Sequence, residues 1–284
     1  MRAVRRSVLA FGEAHRRDLP WRSTRDPWHV LVSEVMLQQT QVARVVEPYN
    51  RFVARYPTPA ACAADRPGEV VRQWAGLGYN RRAVRLHAAA TAVVRRHGGF
   101  VPDDEPALVA LPGVGPYTAR AVLALAFERP VGLVETNVVR LLSRGVMGRR
   151  LGPAEAQRLA DRLVPPADAW AFNQALYDIG SRHCTSRRPD CHPCPLRRHC
   201  AWAAGGWPAP DPAARRHAAP PFEGSDRQGR GRLVAALRAG PVPASHLGEV
   251  AGWPDDPARA RRAADALVVE GLARHGPKGT IVLV

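Results

Sequence analysis

One lysine, Lys278, stands among the 41 basic residues of this 284-residue chain. Any chemistry that runs through a lysine amine is left with that single side chain. Aromatic residues make up only 6% of the sequence. Cysteine is scarcer still: there are five, and four of them (Cys184, Cys191, Cys194 and Cys200) fall within one short stretch. Four cysteines so crowded make a poor disulfide framework for a chain this long, and they predict a reducing compartment. Long apolar runs are missing. The run from Val8 to Phe11 behind the basic start is too short for a signal-peptide core. No window approaches the roughly 20 apolar residues of a membrane span. The expectation is a cytoplasmic protein with no membrane association.

What is present in excess is positive charge. The formal net charge is +16 and the sequence pI is about 11.1. A genome that favours arginine codons explains arginine in place of lysine, but not an excess over Asp and Glu. A field of this sign attracts polyanions and raises their encounter rate, which points to nucleic acid. The hydrophobic content of 46% is enough for a packed core and argues against a disordered chain.

Helical periodicity dominates residues 1–202. Apolar residues recur at helical spacing from Val30 through Val46, from Arg81 to Arg96, from Ala119 to Phe127, from Val138 to Val146, from Ala154 to Leu163 and from Phe172 to Ile179. Pro and Gly clusters punctuate these segments. Residues 203–229, rich in Pro and Gly, read as a linker. Residues 230–284 read as three helices followed by a turn between short strands, a winged-helix pattern. The sequence thus predicts an all-α first domain, a linker and a small winged-helix-like unit.

Three local patterns carry chemistry. The first is the cysteine loop, C-x6-C-x2-C-x5-C over residues 184–200. Tetrahedral thiolate ligation suits either zinc or an iron–sulfur cluster. The single Cys191-x-x-Cys194 knuckle with wider arms favours iron–sulfur over the paired knuckles common in zinc sites. Arg182, Arg187, Arg188, Arg197 and Arg198 would offset a thiolate cluster's negative charge. The second pattern is Leu111-Pro112-Gly113-Val114-Gly115 ahead of a helix. Glycine permits a tight turn, and a helix N-terminus favours an anion, as in a helix-hairpin-helix phosphate clamp. An ordinary interhelical turn is the plain alternative. The third is a pair of carboxylates. Glu34 lies in an apolar helix, where burial would keep a carboxyl protonated for general-acid work. Glu135 ends an apolar run before a helix, where it can also serve as a cap.

Taken in order, Leu19-Pro20-Trp21, Ser33-Glu34-Val35-Met36-Leu37-Gln38-Gln39-Thr40-Gln41-Val42, Gly76-Leu77-Gly78-Tyr79, Leu111-Pro112-Gly113-Val114-Gly115 and the four-cysteine loop resemble the A/G-specific adenine DNA glycosylases, the MutY family. The resemblance covers residues 8–202, and the Met-Leu-Gln-Gln-Thr-Gln run separates it from the related endonuclease III type. It implies a two-subdomain helix-hairpin-helix glycosylase fold with a [4Fe–4S] cluster on Cys184, Cys191, Cys194 and Cys200. It implies Glu34 as the acid that protonates adenine at N7, and Glu135 as the carboxylate that stabilises the cationic sugar, with Asn137 beside it. The family usually carries Asp at position 135, so the side chain here is one methylene longer. Tyr117 stands where bifunctional relatives have a Schiff-base lysine, so the resemblance implies a monofunctional enzyme that leaves an abasic site. Leu19, Trp21 and Gln174 would line the pocket for the flipped adenine. Gln38 and Tyr79 would wedge beside the opposing base, with Asn80 where the family often has a second Tyr. Gly113, Val114 and Gly115 would hold DNA phosphate.

The implied partner is double-stranded DNA bearing an adenine paired with 8-oxoguanine or guanine, bound by a monomer at the nucleoid. The Nudix-like C-terminal domain of most family members has no counterpart in residues 224–284. Two other readings stand beside this one: a thymine or uracil mismatch glycosylase on the same scaffold, and a catalytically weak iron–sulfur DNA-binding protein.

Overall fold

The computed structural model describes residues 1–213 and 221–284. Its helices in chain order are α1 (Arg2–His15), α2 (Pro27–Leu37), α3 (Val42–Arg55), α4 (Pro59–Ala64), α5 (Pro67–Gln73), α6 (Arg81–Arg96), α7 (Glu105–Val109), α8 (Pro116–Leu125), α9 (Thr136–Leu141), α10 (Pro153–Leu163), α11 (Ala169–Arg182), α12 (Ala201–Ala204), α13 (Asp226–Ala239), α14 (Leu247–Ala251) and α15 (Pro257–Val269). Strands β1 (Val242–Pro243), β2 (Ala273–His275) and β3 (Thr280–Leu283) form one antiparallel sheet in the order β1-β3-β2. Val242 pairs with Ile281 across one side of β3, and Arg274 with Val282 across the other. Among the described residues no helix is long and apolar enough to cross a membrane.

The chain forms two compact units, each assembled from separated stretches. Unit 1 is Met1–Val30, Asp103–Val109 and Gly115–Ala218; unit 2 is Leu31–Pro102, Ala110–Val114 and Ala219–Val284. In unit 1, α1 lies along α11. The approach is close because Gly12 has no side chain: a Cβ there would sit 2.8 Å from Ala175 Cβ. Val8 and Phe11 of α1 join Phe172, Leu176 and Ile179 of α11 in one apolar core that reaches Leu142 and Leu196.

In unit 2 the α2 residues Leu31, Val32, Val35 and Met36 are all buried, as expected of a helix that is apolar around its whole circumference. Phe52 packs edge-on against Tyr56 and Trp74, with ring centroids 4.9 and 5.9 Å apart. The tail of the chain belongs to this unit. Arg238 on α13 donates to the Val71 carbonyl at 3.0 Å and to Asn80 Oδ1 at 2.6 Å. A Cβ on Gly68 would collide with the Val284 carbonyl oxygen, so the last residue lies directly on α5.

Several boundaries differ from the sequence reading. The periodic stretch from Val30 to Val46 is two helices, not one. It breaks at Gln38–Gln41, where Gln39 takes a left-handed φ of 57°. Residues 138–146 begin as α9 and continue as a π-helical turn over Leu142–Met147. The expected linker ends early, because Ser225 caps a helix that starts at Asp226 by accepting the Gln228 amide. Part of that linker, residues 214–220, lies outside the described residues.

Candidate active site

In unit 1 the candidate residues sit on a framework held by buried polar side chains. Leu19 and Trp21, 9% and 7% exposed, form a short 3-10 turn over Pro20–Arg22. Arg22 anchors that turn to α11 by donating to both carboxylate oxygens of Asp178, at 2.7 and 3.0 Å, and Arg17 adds a bond of 2.6 Å. Gln174 is one helical turn before Asp178 and buried, so the ion pair brings the Leu19–Trp21 turn to the α11 face that carries Gln174. Burial alone would raise the Asp178 pKa; the guanidinium groups of Arg22 and Arg17 outweigh it and hold the carboxyl below its ordinary value.

Glu135 is the N-cap of α9. Its side chain accepts the Val138 amide at 3.2 Å. The segment before it is clamped: Asn173 Oδ1 accepts the Leu133 amide and Asn173 Nδ2 donates to the Val131 carbonyl, both at 3.0 Å. Gly132 passes so near α10 that a Cβ would lie 2.6 Å from the Ala160 backbone. Burial pushes the Glu135 pKa above its ordinary value, while the Asn137 and Val138 amides and the charge of Arg140 pull the other way. Asn137 Oδ1 accepts from Arg140 Nη2 at 2.5 Å, and Arg140 also donates to the carbonyls of Gly180 and Cys184. Tyr117, in the first turn of α8, shares a 2.8 Å hydrogen bond with the Tyr177 hydroxyl.

The cysteine loop is also in unit 1. Cys184, Cys191, Cys194 and Cys200 all line one small cavity of about 30 Å³, together with Leu141, Leu196 and Arg144. The four thiols are unpaired as disulfides. Burial raises the Cys184 pKa and pushes Cys194 up to about 11. The π-helical turn delivers Arg144 to this loop, 1% exposed. Its guanidinium donates to the Thr185 carbonyl at 2.7 Å, approaches Cys184 Sγ at 3.5 Å and pairs with Asp211. Four soft sulfur donors around one cavity, with a buried cation alongside, fit an anionic thiolate-ligated centre. Among the described residues, no three His, Cys, Asp or Glu side chains stand as a ligand group for one ion.

In unit 2, Glu34 is 5% exposed on α2. Arg82 organises the end of that helix and the turns beside it. Its Nη1 donates to the carbonyls of Val35 and Met36 at 2.9 and 2.8 Å and to that of Gln38, capping the C-terminus of α2. Its Nη2 donates to Thr40 Oγ1 and to the carbonyls of Leu77 and Gly78. One guanidinium thus ties the helix of Glu34 to the Gln38 turn and the Gly76–Tyr79 turn. Burial pushes its pKa down to about 10. Tyr79, with φ of 45°, is 46% exposed, whereas Gln38 is half-buried.

At the hairpin, Gly113 takes φ of 81°, and the stem of Arg85 fills the space a side chain would need. The Val114 amide turns inward onto the Leu111 carbonyl at 3.1 Å, so Val114 shapes the turn and does not present its amide to an anion. Gly115 is the N-cap of α8.

Sequence reading missed Arg22, Asp178, Asn173, Arg140, Arg144 and Arg82. A charged or amide side chain inside an apolar helical stretch, as at Asn173 and Asp178, was the available signal for two of them.

The family described as HhH-GPD superfamily base excision DNA repair protein matches residues 32–166. The adenine DNA glycosylase of Mycolicibacterium smegmatis is 41% identical over 280 residues, 97% of this chain and 94% of that protein. The enzyme of the same name from Mycobacterium tuberculosis is 43% identical over 283 residues, 98% of this chain and 92% of that one. Among solved structures, a thermostable thymine-DNA glycosylase superposes with a TM-score of 0.66 at 31% identity, covering 72% of this chain and 96% of its own.

Proposed function

Because the chain belongs to the HhH-GPD superfamily of base excision DNA repair proteins, within its adenine DNA glycosylase family, and is a DNA glycosylase, we propose that it hydrolyses the N-glycosidic bond of adenine paired with 8-oxoguanine or guanine. The observation that carries this reading is Glu34, a carboxyl only 5% exposed in an apolar helix. A carboxyl group at such a position can act as the proton donor to a base taken out of the stack.

In the proposed mechanism Glu34 protonates N7 of the extruded adenine. The C1′–N9 bond breaks with its electrons going to the base, and positive charge builds on the sugar. The carboxylate of Glu135 stabilises that charge, with its amide donors and Arg140 favouring the ionised form. Water then adds at C1′ and loses its proton, leaving an abasic site. Asn137, fixed by Arg140, helps hold the water; Tyr117 stands in place of a Schiff-base lysine, so no lyase step occurs. Leu19, Trp21 and Gln174 receive the adenine, and Gln38 and Tyr79 wedge beside the opposing base. The glycines of the hairpin and the start of α8 bind phosphate. Cys184, Cys191, Cys194 and Cys200 would hold a [4Fe–4S] cluster, which supplies a structural cross-link within the loop. The protein would act as a monomer on duplex DNA in the cytoplasm.

The likeness to a thymine-DNA glycosylase favours a second reading, thymine or uracil removal on the same scaffold. Single-turnover assays on duplexes carrying A, T or U opposite 8-oxoguanine or guanine separate the two. Release of adenine alone is expected, and Glu34→Gln is expected to slow it at least about 100-fold. Preferential release of thymine or uracil would overturn the adenine assignment, and a Glu34→Gln enzyme as fast as the parent would overturn the acid.

A further inference from the structure

The stretch after the last cysteine is rich in Ala, Gly and Pro, a composition with little to bury. It is nevertheless folded back on the cysteine loop. The Cys200 carbonyl accepts the Ala204 amide at 2.9 Å and so starts α12. Gly206 takes a left-handed φ of 73°, which turns the chain. Trp202 then closes the turn from both ends. Its carbonyl accepts the Trp207 amide at 2.9 Å, and its indole Nε1 donates to the Pro208 carbonyl at 3.0 Å. Asp211 follows.

Trp202 and Asp211 meet on one cation. The Arg144 guanidinium lies 5.0 Å from the Trp202 ring centroid. It donates to Asp211 through two nitrogens, Nε to Oδ1 at 2.9 Å and Nη2 to Oδ2 at 2.5 Å. Such a forked pair fixes the plane of the guanidinium. The third nitrogen, Nη1, is thereby set against the cysteine loop, where it donates to the Thr185 carbonyl and lies 3.5 Å from Cys184 Sγ. Among the described residues, Asp211 is the one carboxylate paired with Arg144. Trp202 also lines the cavity of the four cysteines.

A guanidinium 1% exposed needs opposite charge beside it. Thiolates supply part of that charge once they hold a metal. Asp211, its side chain 26% exposed, supplies the rest from the solvent side. The carboxylate therefore sets how much of the Arg144 charge reaches the sulfur, and the forked pair sets where the cation stands. Groups that hold a ligand's neighbour in place tune metal affinity in this way.

We propose that Asp211 is a positioning residue of the cysteine centre: it acts through Arg144, holding that cation against Cys184 and latching residues 201–211 over the cavity. The inference deepens the reading of Cys184, Cys191, Cys194 and Cys200 as ligands of one thiolate-bound centre, and rests on it.

The test uses the full-length, metal-loaded protein and its Asp211→Asn, Asp211→Glu and Asp103→Asn variants. Asp103 is an exposed carboxylate of the same unit, paired with Arg129, and does not line the cavity. Metal release to a chelator is followed without oxygen by visible absorption and metal content. Asp211→Asn is expected to release metal about tenfold faster than the parent. Asp211→Glu keeps the charge and should recover much of the difference; Asp103→Asn should match the parent. In an Arg144→Lys background the Asp211→Asn effect should shrink, because lysine cannot make the forked pair. An electrode reads the charge directly. Without its carboxylate, Arg144 stands less compensated beside Cys184 and favours the reduced centre, so the midpoint potential of Asp211→Asn should rise while that of Asp103→Asn stays parental.

Release from Asp211→Asn at the parental rate overturns the inference, and so does an undiminished effect in the Arg144→Lys background. An unchanged potential in Asp211→Asn overturns it too, since a tether of the segment alone would leave the potential where it was. If Asp211→Asn does not load with metal, loading restored in Asp211→Glu supports the inference and failure of both overturns it. A parent that holds zinc overturns the iron–sulfur reading, and the release rates with the Arg144→Lys comparison then decide the inference by themselves.

Discussion

The carboxylate of Glu135 accepts the Val138 amide and so holds down the first turn of α9, while the proposed chemistry asks the same group to stay ionised beside a cationic sugar. The two demands can be separated. Glu135→Gln keeps an acceptor oxygen for Val138 but removes the charge. It is expected to melt within about 0.5 kcal/mol of the parent and to release adenine about 100-fold or more slowly. Glu135→Ala loses the cap as well, at about 1 kcal/mol. Because burial raises the Glu135 pKa, the folded state holds its proton more tightly than the unfolded chain does. Stability should therefore fall as pH rises from the ordinary carboxylate value through the raised one, and activity should rise over the same window. Because Asp178, held below its ordinary value, contributes a slope of opposite sign, the prediction is read from the difference between the parent and Glu135→Gln; a difference that rises with pH would refute the burial argument. The capping position was legible from a carboxylate between an apolar run and a helix. The clamp behind it was not, because Asn173 acts on residues about 40 positions away and its contacts leave no local pattern.

At the scale of elements, periodicity located most helices and failed where backbone geometry overrides it. The apolar spacing from Val30 to Val46 runs unbroken through a turn, since four polar residues, Gln38 to Gln41, fit a helix surface as well as a loop. The turn is stable because Arg82 satisfies the last carbonyls of α2, a long-range bond that no window of sequence reveals. The cysteine loop is the opposite case: its spacing was visible in the sequence, and its four cysteines line one cavity beside Arg144. The protein as purified is expected to show the broad visible absorption of sulfide-to-iron charge transfer. Cys194→Ser should lose most of it and destabilise the loop by about 3 kcal/mol, the scale of closing a loop of similar length. A colourless protein containing one zinc ion per chain would overturn the iron–sulfur assignment and leave a structural metal site in its place.

At the scale of the whole molecule, composition pointed to a polyanion partner, and Pro-Gly punctuation pointed to a separate tail. The tail is instead part of unit 2, because its contacts are with residues 158 and 167 positions earlier in the chain. Arg238 is the clearest of these contacts. Its guanidinium, with its pKa lowered by burial, bridges the Val71 carbonyl on α5 and Asn80, the residue after Tyr79. Removing a charged donor from two part-buried acceptors, one of them the half-buried Asn80, is expected to cost about 1 kcal/mol or more in Arg238→Ala. The loss should not be confined to the tail. If the tail and the middle segment unfold as one cooperative body, amides of α6 and of α15 should lose hydrogen-exchange protection together. A variant in which α13 and α15 exchange faster while α6 keeps its parental protection would show that the tail is an appended module after all.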